Sequence, residues 1–263
     1  MRIKQWYKAL IVFSGPLFST MLLTSLDKTI LSFLAFGFIA SSIYVINDLK
    51  DMEKDKLHPK KKHRPIANGK ISHTSAHLFT FLLFSLSIFF ASLVNTSVLL
   101  LVLSYFALML LYTFYLKKRP IIDVFVIATG FFIRAFAGCL AISIEITPWF
   151  YLVIFSFAIY LAFCKRLTEV KLAKSGHKKN LEVYKHIVEI GIAISGSITL
   201  SLYAIYTAIK ESSLVWSVPF AFLSLLLHLR ETFAGKEVHE TLMNPEVLLA
   251  GLAFGVAIFL GLY

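Results

Sequence analysis

The chain has 263 residues, 58% of them hydrophobic and only 16% charged, against about 25% charged in ordinary soluble domains; this excludes a soluble globular protein. A membrane-spanning helix takes about 20 residues, so about nine spans would use most of the chain and leave no room for a folded extramembrane domain. The formal net charge is +11, from 26 Lys and Arg against 15 Asp and Glu, so the few charges must gather between the spans.

The first apolar run, Ala9 to Leu23, follows Arg2, Lys4 and Lys8. Such a flank suits a signal peptide, but Gly15-Pro16 interrupts the run and eight more apolar segments follow, so it reads as a first span. The next spans are expected at Lys28 to Ile46, Ser75 to Val94, Ser97 to Leu116 and Ile121 to Ile142. Four more follow at Pro148 to Cys164, Ile187 to Ile209, Leu214 to Leu229 and Val247 to Tyr263. The least marked are the tight Asn95-Thr96 turn and the eighth span, which carries Pro219 and His228. Cys139 and Cys164 sit inside apolar runs and read as packing residues, and Trp6, Trp149 and Trp216 stand at span ends, where interfacial anchors occur.

Sorting basic residues by side sets the orientation, because Lys and Arg are retained in short cytoplasmic loops. The N-terminus and the even-numbered loops hold 23 of them, the other side only Lys28 and Lys210, and Arg134 lies within a span. The expected fold is therefore an all-α integral membrane protein, a single transmembrane domain over residues 1–263 of about nine helices, with the N-terminus cytoplasmic and Tyr263 outside. Two long cytoplasmic loops, Leu49 to Thr74 and Lys165 to His186, are expected to carry the site. They follow the second and sixth spans, which hints at a duplicated four-helix unit.

As the second span ends, Asn47, Asp48, Asp51 and Asp55 form N-D-x-x-D-x-x-x-D. Steps of three and four put these side chains on one face of a continuing helix. Like charges so close repel unless cations sit among them, and carboxylates that leave metal positions to water and phosphate are a usual Mg²⁺ arrangement. A solvated helix end, its aspartates paired with Lys50, Lys54 and Lys56, is the competing reading. The segment that follows, His58-Pro59-Lys60-Lys61-Lys62-His63-Arg64-Pro65-Ile66-Ala67-Asn68-Gly69, favours phosphate chemistry. Arg64 stands out because Pro65 restricts its backbone to extended conformations and its fork suits bidentate phosphate contacts. Further along the chain, Arg134 lies about 20 Å into the fifth span. Bracing of the bundle and substrate contact both remain open for it. Asp123, nearer the cytoplasmic rim, is a candidate metal or substrate contact.

N-D-x-x-D-x-x-x-D followed by R-P-I-A-x-G resembles the first signature of the UbiA-type intramembrane prenyltransferase superfamily. The resemblance extends to its polyprenyl-phosphate phosphoribosyltransferase branch at four places: Arg2-Ile3-Lys4-Gln5-Trp6-Tyr7-Lys8-Ala9, with departures at Ile3 and Ala9; Asn47 to Gly69; Asp123-Val124-Phe125 through Gly130 to Arg134 and Gly138; and Lys165-Arg166-x-x-Glu169. It implies a nine-helix enzyme that uses Mg²⁺ on Asp48, Asp51 and Asp55 and moves a 5-phosphoribosyl group from phosphoribosyl diphosphate to a polyprenyl phosphate in the bilayer. Lys8, Asn47, Arg64, Tyr112, Lys117, Arg119, Asp123, Arg134, Lys165, Arg166 and Glu169 become candidate substrate contacts. Aromatic prenyltransferases of the superfamily carry a second aspartate-rich motif after the sixth span. Here that place holds mainly cations, Lys165, Arg166, Lys171 and Lys185 beside Glu169, Glu182 and Tyr184, which suit an anionic acceptor. The alternatives are prenyl transfer to an aromatic or glycerol-phosphate acceptor and, in another class, a transporter, which would carry ionisable residues at mid-membrane in several helices. No nucleic-acid partner is expected, since the basic excess follows topology and phosphate binding.

Overall fold

The computed structural model describes residues 3–57, 61–119, 121–145, 147–172, 178–236, 240–241 and 243–263. Arg2, His58, Pro59, Lys60, Lys174, His177 and His239 lie outside the described residues, as do the side chains of Ile3, Lys4, Gln5, Lys118, Lys178, Lys179 and Glu182. The described residues are helical with short connections: α1 (Ser14–Phe18), α2 (Leu26–Lys50), α3 (Met52–Lys56), α4 (His73–Val94), α5 (Thr96–Phe114), α6 (Ile122–Ala141), α7 (Pro148–Leu172), α8 (Lys178–Lys210), α9 (Val218–Phe233) and α10 (Pro245–Leu262). Among the described residues, eight helices are long and apolar enough to cross a membrane, one at each expected span from the second to the ninth. The chain is a multi-pass membrane protein.

The expected first span is not one α-helix. Ile3–Phe13 winds as a 3-10 helix and only Ser14–Phe18 is α-helical. The reason is legible in the spacing. A 3-10 helix stacks every third residue on one face, and Trp6, Ala9, Val12 and Gly15 keep that period. Ala9 and Val12 are buried, and Gly15 and Gly138 allow backbone approach to α6 so close that a Cβ on Gly138 would lie 1.8 Å from the Val12 carbonyl oxygen. With a rise of about 2.0 Å per 3-10 residue, the segment and α1 together extend about 30 Å, the thickness of a hydrocarbon core. Trp6 is likewise not a plain interfacial anchor: its indole donates to Ser41 Oγ at 3.0 Å, lies against Gly37 and meets Phe33 and Phe38 edge-on.

The two least marked expectations are met through capping. Val94 ends α4, and Asn95 then caps α5, its Oδ1 accepting from the Val98 amide at 2.8 Å while its Nδ2 donates to the Leu140 carbonyl at 2.9 Å. Pro219 falls in the first turn of α9, after a 3-10 segment Ser212–Ser217, where a missing amide proton costs nothing.

The chain forms two compact units, one of residues 1–123 and 133–145 and one of residues 124–132 and 146–263. In the first, α2 packs most extensively on α4, and in the second α7 packs most extensively on α8. Ser87 Oγ on α4 donates to the Ala35 carbonyl of α2 at 2.7 Å. The core of the second unit gathers Tyr160, Cys164 and Leu167 of α7 with Val188 and Ile192 of α8.

Candidate active site

In the first unit, α2 outruns its apolar stretch and carries Asn47 and Asp48 on its last turns. The helical path loosens at Asp51 (φ −90°, ψ 2°) and resumes in α3, with Asp51 N donating to Asn47 O at 2.9 Å and Asp55 N to Asp51 O at 2.8 Å. The aspartates therefore keep near-helical spacing across a break, not one unbroken helix. A 3-10 turn at Lys61–His63 and a loop closed by Asn68 N to Arg64 O (2.9 Å) return the chain, with Ile66 and Ala67 buried as its anchor. Gly69, at φ +75°, takes the left-handed turn that continues toward α4.

That fold brings Arg64 back onto the cluster. One guanidinium nitrogen lies 3.1 Å from Asp48 Oδ1 and 2.5 Å from Asp55 Oδ2. Lys117, just past α5, reaches Asp51 Oδ2 at 2.5 Å. Lys50 donates to the Thr113 carbonyl and lies 4.3 Å from the Phe114 ring centroid, while Lys56 pairs with Glu53 at 2.7 Å. Burial alone would raise the Asp51 pKa, but the Lys117 hydrogen bond and charge, with Lys54 and Lys61 nearby, bring it below the ordinary carboxylate value.

Asp123 is buried in the first turn of α6, its amide donating to the Arg119 carbonyl at 3.1 Å. Ile121 before it holds φ +69°, a conformation β-branched residues rarely adopt. Arg119 is exposed and Tyr112 half-buried. Lys8 lies 5.7 Å from the Tyr7 ring and 5.9 Å from the Tyr44 ring. Arg134 is 4% exposed and donates to the Tyr105 hydroxyl, its guanidinium 4.5 Å from that ring's centroid. Tyr105 is the partner that the sequence could not name; a tyrosine within the apolar run of α5 was its only trace.

In the second unit the expected loop from Lys165 is largely helix: α7 continues to Leu172 and α8 begins at Lys178. Cys164 and Leu167 continue the buried face of α7 and hold the extension to the core. Lys171 adds a hydrogen bond to the Phe233 carbonyl (2.5 Å), and Thr168 one to the Lys236 carbonyl (3.2 Å). Lys165 and Arg166 share Glu169, the former at 3.6 Å, within one helical turn. Near the end of α9, Glu231 is buried and takes Lys236 and Arg230, and Arg230 also reaches Glu246 at 2.6 Å. Arg230, Glu231 and Glu246 thus form an ion-paired closure between α9 and α10.

Among the described residues no three carboxylate, histidine or cysteine side chains are gathered closely enough to form a ready metal cage. The donor set nevertheless fits a hard divalent cation: Asp48, Asp51 and Asp55 offer only oxygens, and each is already satisfied by a cationic group that such an ion replaces in charge.

A profile of the UbiA prenyltransferase family matches residues 9–233. The chain belongs to that family. Decaprenyl-phosphate phosphoribosyltransferase of Mycolicibacterium smegmatis is 35% identical over 192 residues, covering 70% of this chain and 60% of its own length. The enzyme of that name from Corynebacterium glutamicum is 37% identical over 193 residues, covering 70% and 58%. The chain thus spans about three fifths of the length of these curated relatives. A UbiA homolog from Archaeoglobus fulgidus, solved with DMAPP and Mg²⁺, shares the fold at a TM-score of 0.77 and 19% identity over 99% of this chain and 95% of that one. Family membership accounts for the helical membrane architecture, with the N-D-x-x-D-x-x-x-D segment inside the matched range.

Proposed function

We propose that this UbiA-family protein transfers a 5-phosphoribosyl group from phosphoribosyl diphosphate to a polyprenyl phosphate, releasing diphosphate. The observation that carries the reading is the helical turn Lys165–Glu169, two cations around one carboxylate where an aromatic prenyltransferase of the superfamily would carry a second set of aspartates. The names of the M. smegmatis and C. glutamicum relatives support it. Residues 1–263 act as one transmembrane domain, with the N-terminus and the site on the cytoplasmic side, as the 23-to-2 partition of basic residues favours.

Asp48, Asp51 and Asp55 would hold Mg²⁺, as the Mg²⁺ in the A. fulgidus homolog supports. When bound, the ion supplies positive charge to the leaving diphosphate. Arg64 and Lys117 orient phosphate oxygens of the donor, and Asn47, Lys8, Tyr112, Arg119 and Asp123 are the further candidates on that side. Lys165 and Arg166 receive the lipid phosphate, with Glu169 setting their orientation. A phosphate oxygen of the lipid bonds to ribose C1 as the bond from C1 to diphosphate breaks. The attacking oxygen is already ionised at neutral pH, so this chain needs no general base. Arg134 and Tyr105 brace α6 against α5 within the first unit.

Solubilised protein incubated with Mg²⁺, polyprenyl phosphate and ribose-labelled phosphoribosyl diphosphate is expected to move label into the lipid phase. Label that stays aqueous, while a labelled prenyl diphosphate is consumed by an aromatic or glycerol-phosphate acceptor, would replace this reading with prenyl transfer.

A further inference from the structure

We propose that Arg64 and Lys117 are exchangeable counter-ions that hold the three aspartates in the ligand-free protein and pass to the donor's phosphates when metal enters, making metal and diphosphate binding mutually dependent. The proposal rests on reading these aspartates as a divalent-cation site. Arg64 bridges Asp48 and Asp55 at 3.1 and 2.5 Å, and Lys117 holds Asp51 at 2.5 Å. Asp55 is 4% exposed, and a buried carboxylate left without a cation is costly. Arg64 and Lys117 engage Asp48 Oδ1, Asp55 Oδ2 and Asp51 Oδ2, so an arriving metal competes with them for the charge of the cluster and displaces them from the oxygens it takes. Left beside the metal with no anion, the two displaced cations would be repelled by it. Diphosphate oxygens remove that repulsion by accepting both side chains and completing the metal's oxygen shell.

Two consequences follow from thermodynamic linkage. Metal alone binds weakly, because it competes with two built-in cations. Diphosphate tightens metal binding, and metal tightens diphosphate binding by the same factor.

The test is Mn²⁺ binding by electron paramagnetic resonance on the detergent-solubilised full chain, with Mn²⁺ alone and with inorganic diphosphate. In the wild type diphosphate is expected to tighten Mn²⁺ by about tenfold or more, within the usual range for coupled sites. Arg64→Gln and Lys117→Gln are expected to bind Mn²⁺ alone more tightly than the wild type and to lose most of the tightening by diphosphate. Lys70→Gln, which removes a loop charge outside these pairs, should leave both values unchanged. If Arg64→Gln fails to fold, Lys117→Gln carries the test, since its ion pair is the more exposed of the two. The proposal is overturned if the variants bind Mn²⁺ alone no more tightly than the wild type, or if Lys70→Gln tightens it equally. Wild-type protein that binds no Mn²⁺ under either condition, or Asp48→Asn that binds it undiminished, would overturn the metal-site reading itself.

Discussion

At the end of α2 the carboxylates find their cations far along the chain, Arg64 nine and sixteen residues on and Lys117 sixty-six. At the end of α7, Lys165 and Arg166 share Glu169 three and four residues away, on their own helix. The first arrangement exists only in the folded first unit and buries Asp55; the second forms wherever α7 is helical and leaves Glu169 exposed. A local exposed pair contributes about 0.3–0.5 kcal/mol, so Lys165, 40% exposed, is readily given up to a ligand, whereas Arg166 is only 14% exposed. Removing one partner of a buried pair costs several-fold more. On the proposed function, the contrast separates a donor end whose counter-ions come from the tertiary fold from an acceptor end whose cations pair within one helix.

Substitutions can break this contrast. The largest effect is expected from Asp48→Asn or Asp51→Asn, which should lower transfer by about 10²–10³-fold or more, as loss of a principal electrostatic group does, with membrane insertion retained. Arg64→Ala should cost about 2–3 kcal/mol of stability, read by thermal unfolding in detergent, because it strands Asp55 while Arg64 itself keeps some water contact. Lys165→Gln should instead leave stability unchanged within about 0.5 kcal/mol and raise the KM for polyprenyl phosphate about tenfold, a single charge-assisted contact. Equal stability losses in Arg64→Ala and Lys165→Gln would erase the distinction between the two ends. Tyr105→Phe, which removes the hydroxyl from Arg134, should cost about 1 kcal/mol of stability with little change in KM.

The smallest effect concerns pH. Asp51 has a folded pKa below its unfolded value, so the stability from its pairing with Lys117 is fully present above the ordinary carboxylate pKa and is lost as pH falls through the lowered one. Wild-type stability should decline over that acidic window, and Lys117→Gln should decline less. Identical acid profiles would show that the pair contributes nothing.

Much of this was legible before any coordinates. Eight spans fall where apolar runs are bounded by charges, and the aspartates were visible as a spacing. Other features depend on partners that spacing does not encode. The close approach of Ile3–Phe13 to α6 depends on Gly138, where only a glycine admits the Val12 carbonyl. Placing Lys165 in a loop read its charge as the end of the helix, whereas Leu167 and the tie from Lys171 to Phe233 carry α7 two turns further. Arg134 looked isolated because Tyr105 lies 29 residues away in an apolar run. The loop anchored by Ile66 and Ala67 brings Arg64 onto Asp48 and Asp55, a contact that local spacing does not encode.

The central claim is that donor diphosphate and lipid phosphate meet on one chain with cleavage at ribose C1. It is tested most directly with phosphoribosyl diphosphate carrying one label in the ribose and another in the diphosphate, incubated with solubilised protein, Mg²⁺ and polyprenyl phosphate. The account predicts ribose label in the lipid phase and an equal amount of the second label released as free diphosphate in the aqueous phase, with neither transfer nor release in Asp48→Asn. Both labels remaining together in the aqueous phase, under conditions where a relative of known activity transfers ribose, would contradict it.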